Sequence, residues 1–231
     1  GTTIEIGPGP GGLTRALLLE GAAHVIAIEK DRRASAVLSS LSKAAGERLT
    51  LIEDDALTSP IWDIGTAPRR IVANLPYNIA TPLLIQWLSH ANCFDSMTLM
   101  FQREVAERIT AQPGTDAYGR LSVLTKWRAD AEILFDVPAS AFVPPPKIIS
   151  SVVQIVPLAQ PRYPCSQKAL EFITRTAFGQ RRKMLRSSLK KINGDHLLKE
   201  TAIAPDLRPQ DIDIEGFCKL AHLYESTAKT A

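Results

Sequence analysis

The first nineteen residues constrain the fold of this chain more than any other stretch. Residues 2–6 form a short run of strand character, Gly7-Pro8-Gly9-Pro10-Gly11-Gly12 follows at once, and residues 13–19 have helical composition. A glycine-dense turn between a strand and a helix lets a ligand approach the main chain and meet the helix N-terminus. This points to an α/β protein with a ligand at the carboxyl end of its first strand. The spacing satisfies G-x-G-x-x-G through Gly7, Gly9 and Gly12, and Gly11 adds G-x-G-x-G.

That spacing is shared by dinucleotide-binding enzymes and methyltransferases, so the strands that follow have to discriminate. Residues 24–28 read as a second apolar strand ending at Glu29. An acid there, about 20 residues beyond the glycines, is placed to bind ribose hydroxyls; the plainer reading is an acid leading the helical stretch 31–43. Residues 49–52 read as a third strand that runs into Glu53-Asp54-Asp55-Ala56. Asp55 can accept from an adenine amine while Ala56 supplies a main-chain N–H, although a solvated acidic loop has the same composition. Residues 71–73 form the fourth strand and carry Asn74-Leu75-Pro76-Tyr77 ahead of a helical pattern expected from Pro82. The Asn74 amide oxygen accepts from an amino group. Pro76 fixes its own φ and biases Leu75 towards an extended backbone, so the Leu75 carbonyl can be aimed outward. With the flat face of Tyr77, the four residues suit an exocyclic amine on a flat ring; the alternative is an ordinary strand-to-helix turn.

Residues 96–102 give a fifth, largely apolar strand. Helical stretches are expected at 103–111 and 118–127, broken at Gln112-Pro113-Gly114, and two further strands at 131–137 and 150–156. A proline-rich loop, 138–147, joins those strands. It can be neither helix nor central strand, and it holds Phe142 and Lys147 in fixed places. After Pro157 the pattern turns helical, which puts a sheet domain at 1–157 and a helical domain at 158–231. The first holds 14 Lys/Arg against 16 Asp/Glu, the second 13 against 8. Six of the eleven residues 181–191 are basic, read as one helix with a charged face for a polyanionic partner. Cys93, Cys165 and Cys218 form no C-x-x-C pair, so no disulfide framework or metal site is expected, and a reducing, cytoplasmic compartment fits. No apolar run approaches the roughly 18 residues of a membrane span.

The residues Glu5-Ile6-Gly7-Pro8-Gly9, Glu29, Asp55-Ala56, Asn74-Leu75-Pro76-Tyr77-Asn78, Tyr118-Gly119-Arg120-Leu121-Ser122-Val123, Phe142-Val143-Pro144-Pro145-Pro146-Lys147 and Gln180-Arg181-Arg182-Lys183 occur in this order. Over nearly its full length the chain resembles the bacterial small-subunit rRNA adenine N6,N6-dimethyltransferases. The resemblance implies a Rossmann-like, seven-stranded class I methyltransferase sheet with a small all-α C-terminal domain. It implies S-adenosylmethionine as cofactor, 16S rRNA in the immature 30S subunit as partner, a monomer, and dimethylation of two adjacent adenosines. Catalysis would fall to Asn74, Leu75, Pro76, Tyr77 and Phe142. Gly7, Gly9, Glu29, Asp55, Ala56 and Asn74 would hold the cofactor. Lys147, Arg181, Arg182, Lys183 and Arg186 would hold RNA. Family members also carry an N-terminal Gln-Asn-Phe segment over the methionine end of the cofactor, whereas this sequence starts at the first strand, so weakened cofactor binding is expected of it. The family's usual Lys-Val-Asp-Ser stands here as Lys147-Ile148-Ile149-Ser150. Rival readings are a 23S rRNA adenine methyltransferase conferring antibiotic resistance, a ribosome-assembly binding factor and, on the glycine spacing alone, a nicotinamide-dependent dehydrogenase.

Overall fold

The computed structural model describes residues 1–228. Among these the strands are β1 (Thr2–Ile6), β2 (His24–Glu29), β3 (Leu49–Glu53), β4 (Arg69–Asn74), β5 (Ser96–Gln102), β6 (Ala129–Val137) and β7 (Ser150–Pro157). The α-helices are α1 (Gly12–Leu19), α2 (Arg32–Ala45), α3 (Tyr77–Ser89), α4 (Arg103–Thr110), α5 (Arg120–Arg128), α6 (Gln167–Phe178), α7 (Leu185–Ser188), α8 (Gly194–Glu200) and α9 (Ile214–Ala228).

The strands form one sheet in the order β3-β2-β1-β4-β5-β7-β6. β1 pairs in parallel with β2 on one side and β4 on the other, β2 with β3 and β4 with β5, while β7 runs antiparallel to β5. Parallel strands need both faces covered, and β1 and β2 are accordingly apolar almost throughout, with Ile4, Ile6, Val25, Ile26, Ala27 and Ile28 buried. The chain winds one way from β1 to β3 and the other way from β4 to β5. The switch point therefore lies between the carboxyl ends of β1 and β4, where open sheets take their ligands.

The structure divides into two compact units: Gly1–Ala106 with Asp130–Ala159, and Glu107–Ala129 with Gln160–Ala231. The first holds the sheet. Residues 107–129, which the sequence boundary left with the sheet, cluster with the second unit. There α5 packs against α6 and α9, Arg162 N donates to Trp127 O at 2.9 Å, and Trp127 Nε1 donates to Tyr163 O at 2.8 Å.

Two helices differ from expectation. α3 begins at Tyr77, not at Pro82, because Pro76 caps it and its carbonyl accepts from both Ile79 N and Ala80 N at 3.1 Å. Pro82 lies inside the helix, with no N–H to offer one turn back. Leu83, Leu84, Trp87 and Leu88 anchor the helix by full burial, each contributing roughly 1.5–3 kcal/mol, which outweighs the proline. The basic stretch 181–191 is not one helix. α6 ends at Gly179, a turn follows, and only the four residues of α7 are α-helical. Leu185 N and Arg186 N donate out of the run, to Leu207 O at 2.8 Å and Pro205 O at 3.0 Å. These bonds replace the ones a continuous helix would make.

Candidate active site

The half of the site expected to take a cofactor is built from the ends of β1, β2 and β3. Gly7, Gly9 and Gly11 have φ of 66°, 53° and 85°, the left-handed region that glycine enters without steric cost. A Cβ on Gly9 would meet nothing within 4 Å, and one on Gly7 would meet only Pro76 Cδ at 4.0 Å. The loop thus leaves open space above Gly7 and Gly9, whereas a Cβ on Gly11 would meet Leu38 Cδ2 at 2.6 Å, and it lies beside the Asn74 turn. Glu29 fixes its shape. One carboxylate oxygen accepts from Gly9 N at 3.2 Å and the other from Asp31 N at 2.8 Å. A carboxylate has about four acceptor sites, so capacity for a ribose hydroxyl remains. Gly7 N is tied to Ile28 O at 2.9 Å.

Asp55, past the end of β3, is in an ion pair with Lys30 at 2.7 Å and accepts from Leu57 N at 3.0 Å. The Lys30 hydrogen bond first, then the Leu57 N–H, holds its carboxyl below the usual range. Ala56 is buried, and its N–H has no acceptor among the described residues, which leaves it free for a ring nitrogen. Glu5, two residues before the glycine loop, is 1% exposed. Burial pushes its carboxyl up to about 7, against a smaller lowering from Thr14. Neither Glu5 Oε2 nor the Thr14 hydroxyl reaches hydrogen-bond geometry, so burial prevails.

The base half is a cleft of about 290 Å³ lined by Asn74, Leu75, Pro76, Tyr77, Phe142, Pro144 and Pro146. The turn after β4 and the proline-rich loop, distant in sequence, form its two walls. Asn74 is exposed and its side-chain amide has no partner among the described residues. The Leu75 side chain is buried, so its main chain is what borders the cleft, and its carbonyl likewise accepts no hydrogen bond. Tyr77 is half-exposed, with its phenol 2.9 Å from Ser150 Oγ. Ser150 was not singled out from the sequence, although its place after Lys147-Ile148-Ile149 was the available signal. Lys147 is exposed and does not line the cleft.

The second unit carries the basic segment. Arg182, Lys183 and Arg186 are exposed. Arg181 is instead partly buried, its guanidinium donating to Tyr118 O at 2.9 Å and Thr115 O at 3.2 Å. A larger cavity of about 470 Å³ lies in this unit between α6 and α9, walled by Phe172, Arg175 and Tyr224, and includes none of the residues expected to act. Among the described residues no cluster of three or more His, Cys, Asp or Glu could hold a metal ion, and no helix is long and apolar enough to cross a membrane.

A family model described as ribosomal RNA adenine dimethylase matches residues 1–226. A ribosomal RNA small subunit methyltransferase A from Azorhizobium caulinodans is 56% identical over 229 residues, covering 96% of this chain and 78% of the relative. Its namesake from Paramagnetospirillum magneticum is 52% identical over 227 residues, covering 98% and 81%. The crystal structure of a dimethyladenosine transferase from Plasmodium falciparum matches with a TM-score of 0.81 at 26% identity, over 99% of this chain and 90% of that one. An open glycine loop beside an aromatic-walled cleft with two free acceptors agrees with these likenesses, and the chain belongs to the ribosomal RNA adenine dimethylase family.

Proposed function

We propose that this chain transfers methyl groups from S-adenosylmethionine to N6 of two adjacent adenosines near the 3′ end of 16S rRNA, in the immature small subunit. The observation that carries the reading is the pair of unengaged acceptors on one cleft wall, the Asn74 amide oxygen and the Leu75 carbonyl. The N6 lone pair of adenine is delocalised into the ring, so the amine is a poor nucleophile. In the first transfer hydrogen bonds from both N6 protons to these oxygens, and in the second the bond from the one proton that remains, favour a pyramidal nitrogen with its lone pair directed away from them. They also stabilise positive charge as it develops on N6. When bound, the cofactor supplies an electrophilic methyl group on a sulfonium. The residues themselves bind, orient and exclude water, and much of the rate is a positioning effect. No strong base is needed, since the proton leaves to water after transfer.

Tyr77 and Phe142 stack on the base, each contact worth roughly 1–3 kcal/mol, after the adenine has left any stack of its own. Glu29 and Asp55 serve the cofactor ribose and adenine amine, and Ala56 N–H a ring nitrogen. Arg182, Lys183 and Arg186 meet phosphates, with Arg181 bracing the turn that carries them. Log affinity for RNA then falls with log salt by about 0.7 per phosphate contacted on single strands. The test is transfer of labelled methyl from S-adenosylmethionine to undermethylated small-subunit particles and to naked 23S rRNA. Label confined to N6 of the paired adenosines in the particles is expected; label on 23S rRNA alone overturns the assignment of substrate.

A further inference from the structure

The geometry points to Ser150 as a positioning residue: its hydroxyl holds the far end of the Tyr77 ring and so fixes the side-chain rotamer that presents this ring as one aromatic wall of the base cleft. The inference rests on the adenine-stacking reading above and extends it to a residue that touches no substrate. Tyr77 opens α3 and is 37% exposed. A ring at the edge of a cleft swings about its Cα–Cβ bond unless its far end is held. Here the phenol is held, 2.9 Å from Ser150 Oγ. Ser150 is 0% exposed, and a buried hydroxyl is costly without a partner, so the serine needs this bond.

The other end of that bond is immobile. Ser150 opens β7 opposite Gln102 of β5. Its neighbours are fastened as well. Ile149 O accepts from Arg103 N at 3.0 Å. Ser151 Oγ donates to Asp136 Oδ1 at 2.6 Å, and Asp136 Oδ2 accepts from Arg103 Nη1 at 2.9 Å. Three consecutive residues therefore pin the end of the loop that carries Phe142 to α4, α3 and β6. The Tyr77 ring takes its position from the same fixed point that ends the Phe142 loop. Without the hydroxyl, the ring would still stack, but from a range of positions, and fewer bound adenines would present N6 to the methyl donor.

The experiment compares Ser150→Ala, Tyr77→Phe and the double variant in methyl transfer to small-subunit particles, together with the Cα–Cβ rotamer of Tyr77 read from NMR scalar couplings on 13C-labelled tyrosine in the wild type and Ser150→Ala. Each single variant is expected to lose about two- to tenfold in kcat, the worth of one hydrogen bond, with KM within about twofold. The double variant should be no worse than either single one, because both remove the same bond. Losses that multiply, or wild-type kcat in Ser150→Ala, overturn the inference. The rotamer measurement needs no catalysis: averaging of the Tyr77 Cα–Cβ rotamer in Ser150→Ala supports the role, and a single rotamer as in the wild type sinks it. Should the wild-type protein methylate no RNA, the functional reading fails separately while this second readout still decides on Ser150.

Discussion

The two halves of the site, both at the carboxyl ends of adjoining strands, are finished to different degrees. On the cofactor side the groups that shape the glycine loop are already engaged: Glu29 binds two main-chain amides and Gly7 N is tied to Ile28 O, whereas further along, at Asp55, a lysine stands where a ligand amine is expected. On the base side the acceptors are unengaged, and among the described residues the one side-chain hydrogen bond made by a wall residue is Tyr77 to Ser150. A small cofactor can be met by a preformed surface, because its shape is constant. An adenine attached to a folded RNA needs a cleft whose acceptors face outward and unpartnered. The loss of their water is then compensated only when N6 arrives, which ties binding energy to the reacting atom.

Replacing one acidic or amide group in each half should expose that contrast most clearly. Asn74→Ala is expected to lower kcat by about 10²–10³, as removal of one acceptor at a developing charge does. Its stability should stay within about 0.5 kcal/mol of wild type, since the side chain is exposed and unbonded. Glu29→Ala should weaken cofactor binding by about 10- to 100-fold and also cost about 1 kcal/mol of stability, because the Gly9 and Asp31 amides lose their acceptor. Calorimetry with S-adenosylmethionine alongside thermal melts measures both. If Asn74→Ala melts early and Glu29→Ala does not, the halves have been assigned the wrong way round.

Glu5 sharpens the comparison from below the glycine loop. Its folded carboxyl sits at about 7 against an ordinary 4.5. Between those values the folded protein holds a proton that the unfolded chain has released, so stability falls as pH rises through the window. The cost is complete above about pH 7 and absent below about 4.5. Two and a half units correspond to at most about 3 kcal/mol. Glu5→Gln is therefore expected to stabilise by about 1–3 kcal/mol at pH 8 and by almost nothing at pH 4, read from denaturant midpoints across pH. A flat difference between the two proteins would mean that the carboxylate is solvated and that the cofactor half carries no such strain.

How far this arrangement could be read beforehand depends on whether a contact is local. The buried strands were visible as apolar runs because both faces of a parallel sheet are covered, and the glycine turn, Glu29 and Asn74 stand at strand ends that such runs define. α3 was placed late because a proline is a common helix-start signal, and two prolines, Pro76 and Pro82, compete for that role. α5 gives no clue to the unit it belongs to. Leu121, Ser122, Val123, Leu124, Thr125 and Trp127 are all buried, so no polar stripe marks an outer face. The stretch 181–191 has helical composition, yet the Leu207 and Pro205 carbonyls claim the amides of Leu185 and Arg186. Arg181 is likewise drawn off by the Thr115 and Tyr118 carbonyls. The Tyr77–Ser150 bond spans 73 residues, and no periodicity reports a contact of that kind.

The smallest effect concerns Lys30, where the cofactor half is least finished. Asp55 was expected to receive an adenine amine, and Lys30 now occupies Oδ2 while Leu57 N occupies a site on Oδ1. Exposed ion pairs are weak and screened by salt, so an amine can displace Lys30 at little cost. Lys30→Ala is expected to raise cofactor affinity about two- to threefold at low salt. The gap should close as salt rises, because salt loosens the same pair in the wild-type protein. A fall in affinity would carry a different lesson: Lys30 would then be holding the Asp55 carboxylate in its receptive orientation. The cofactor half would in that case be preformed as far as β3, leaving only the base half to be completed by its ligand.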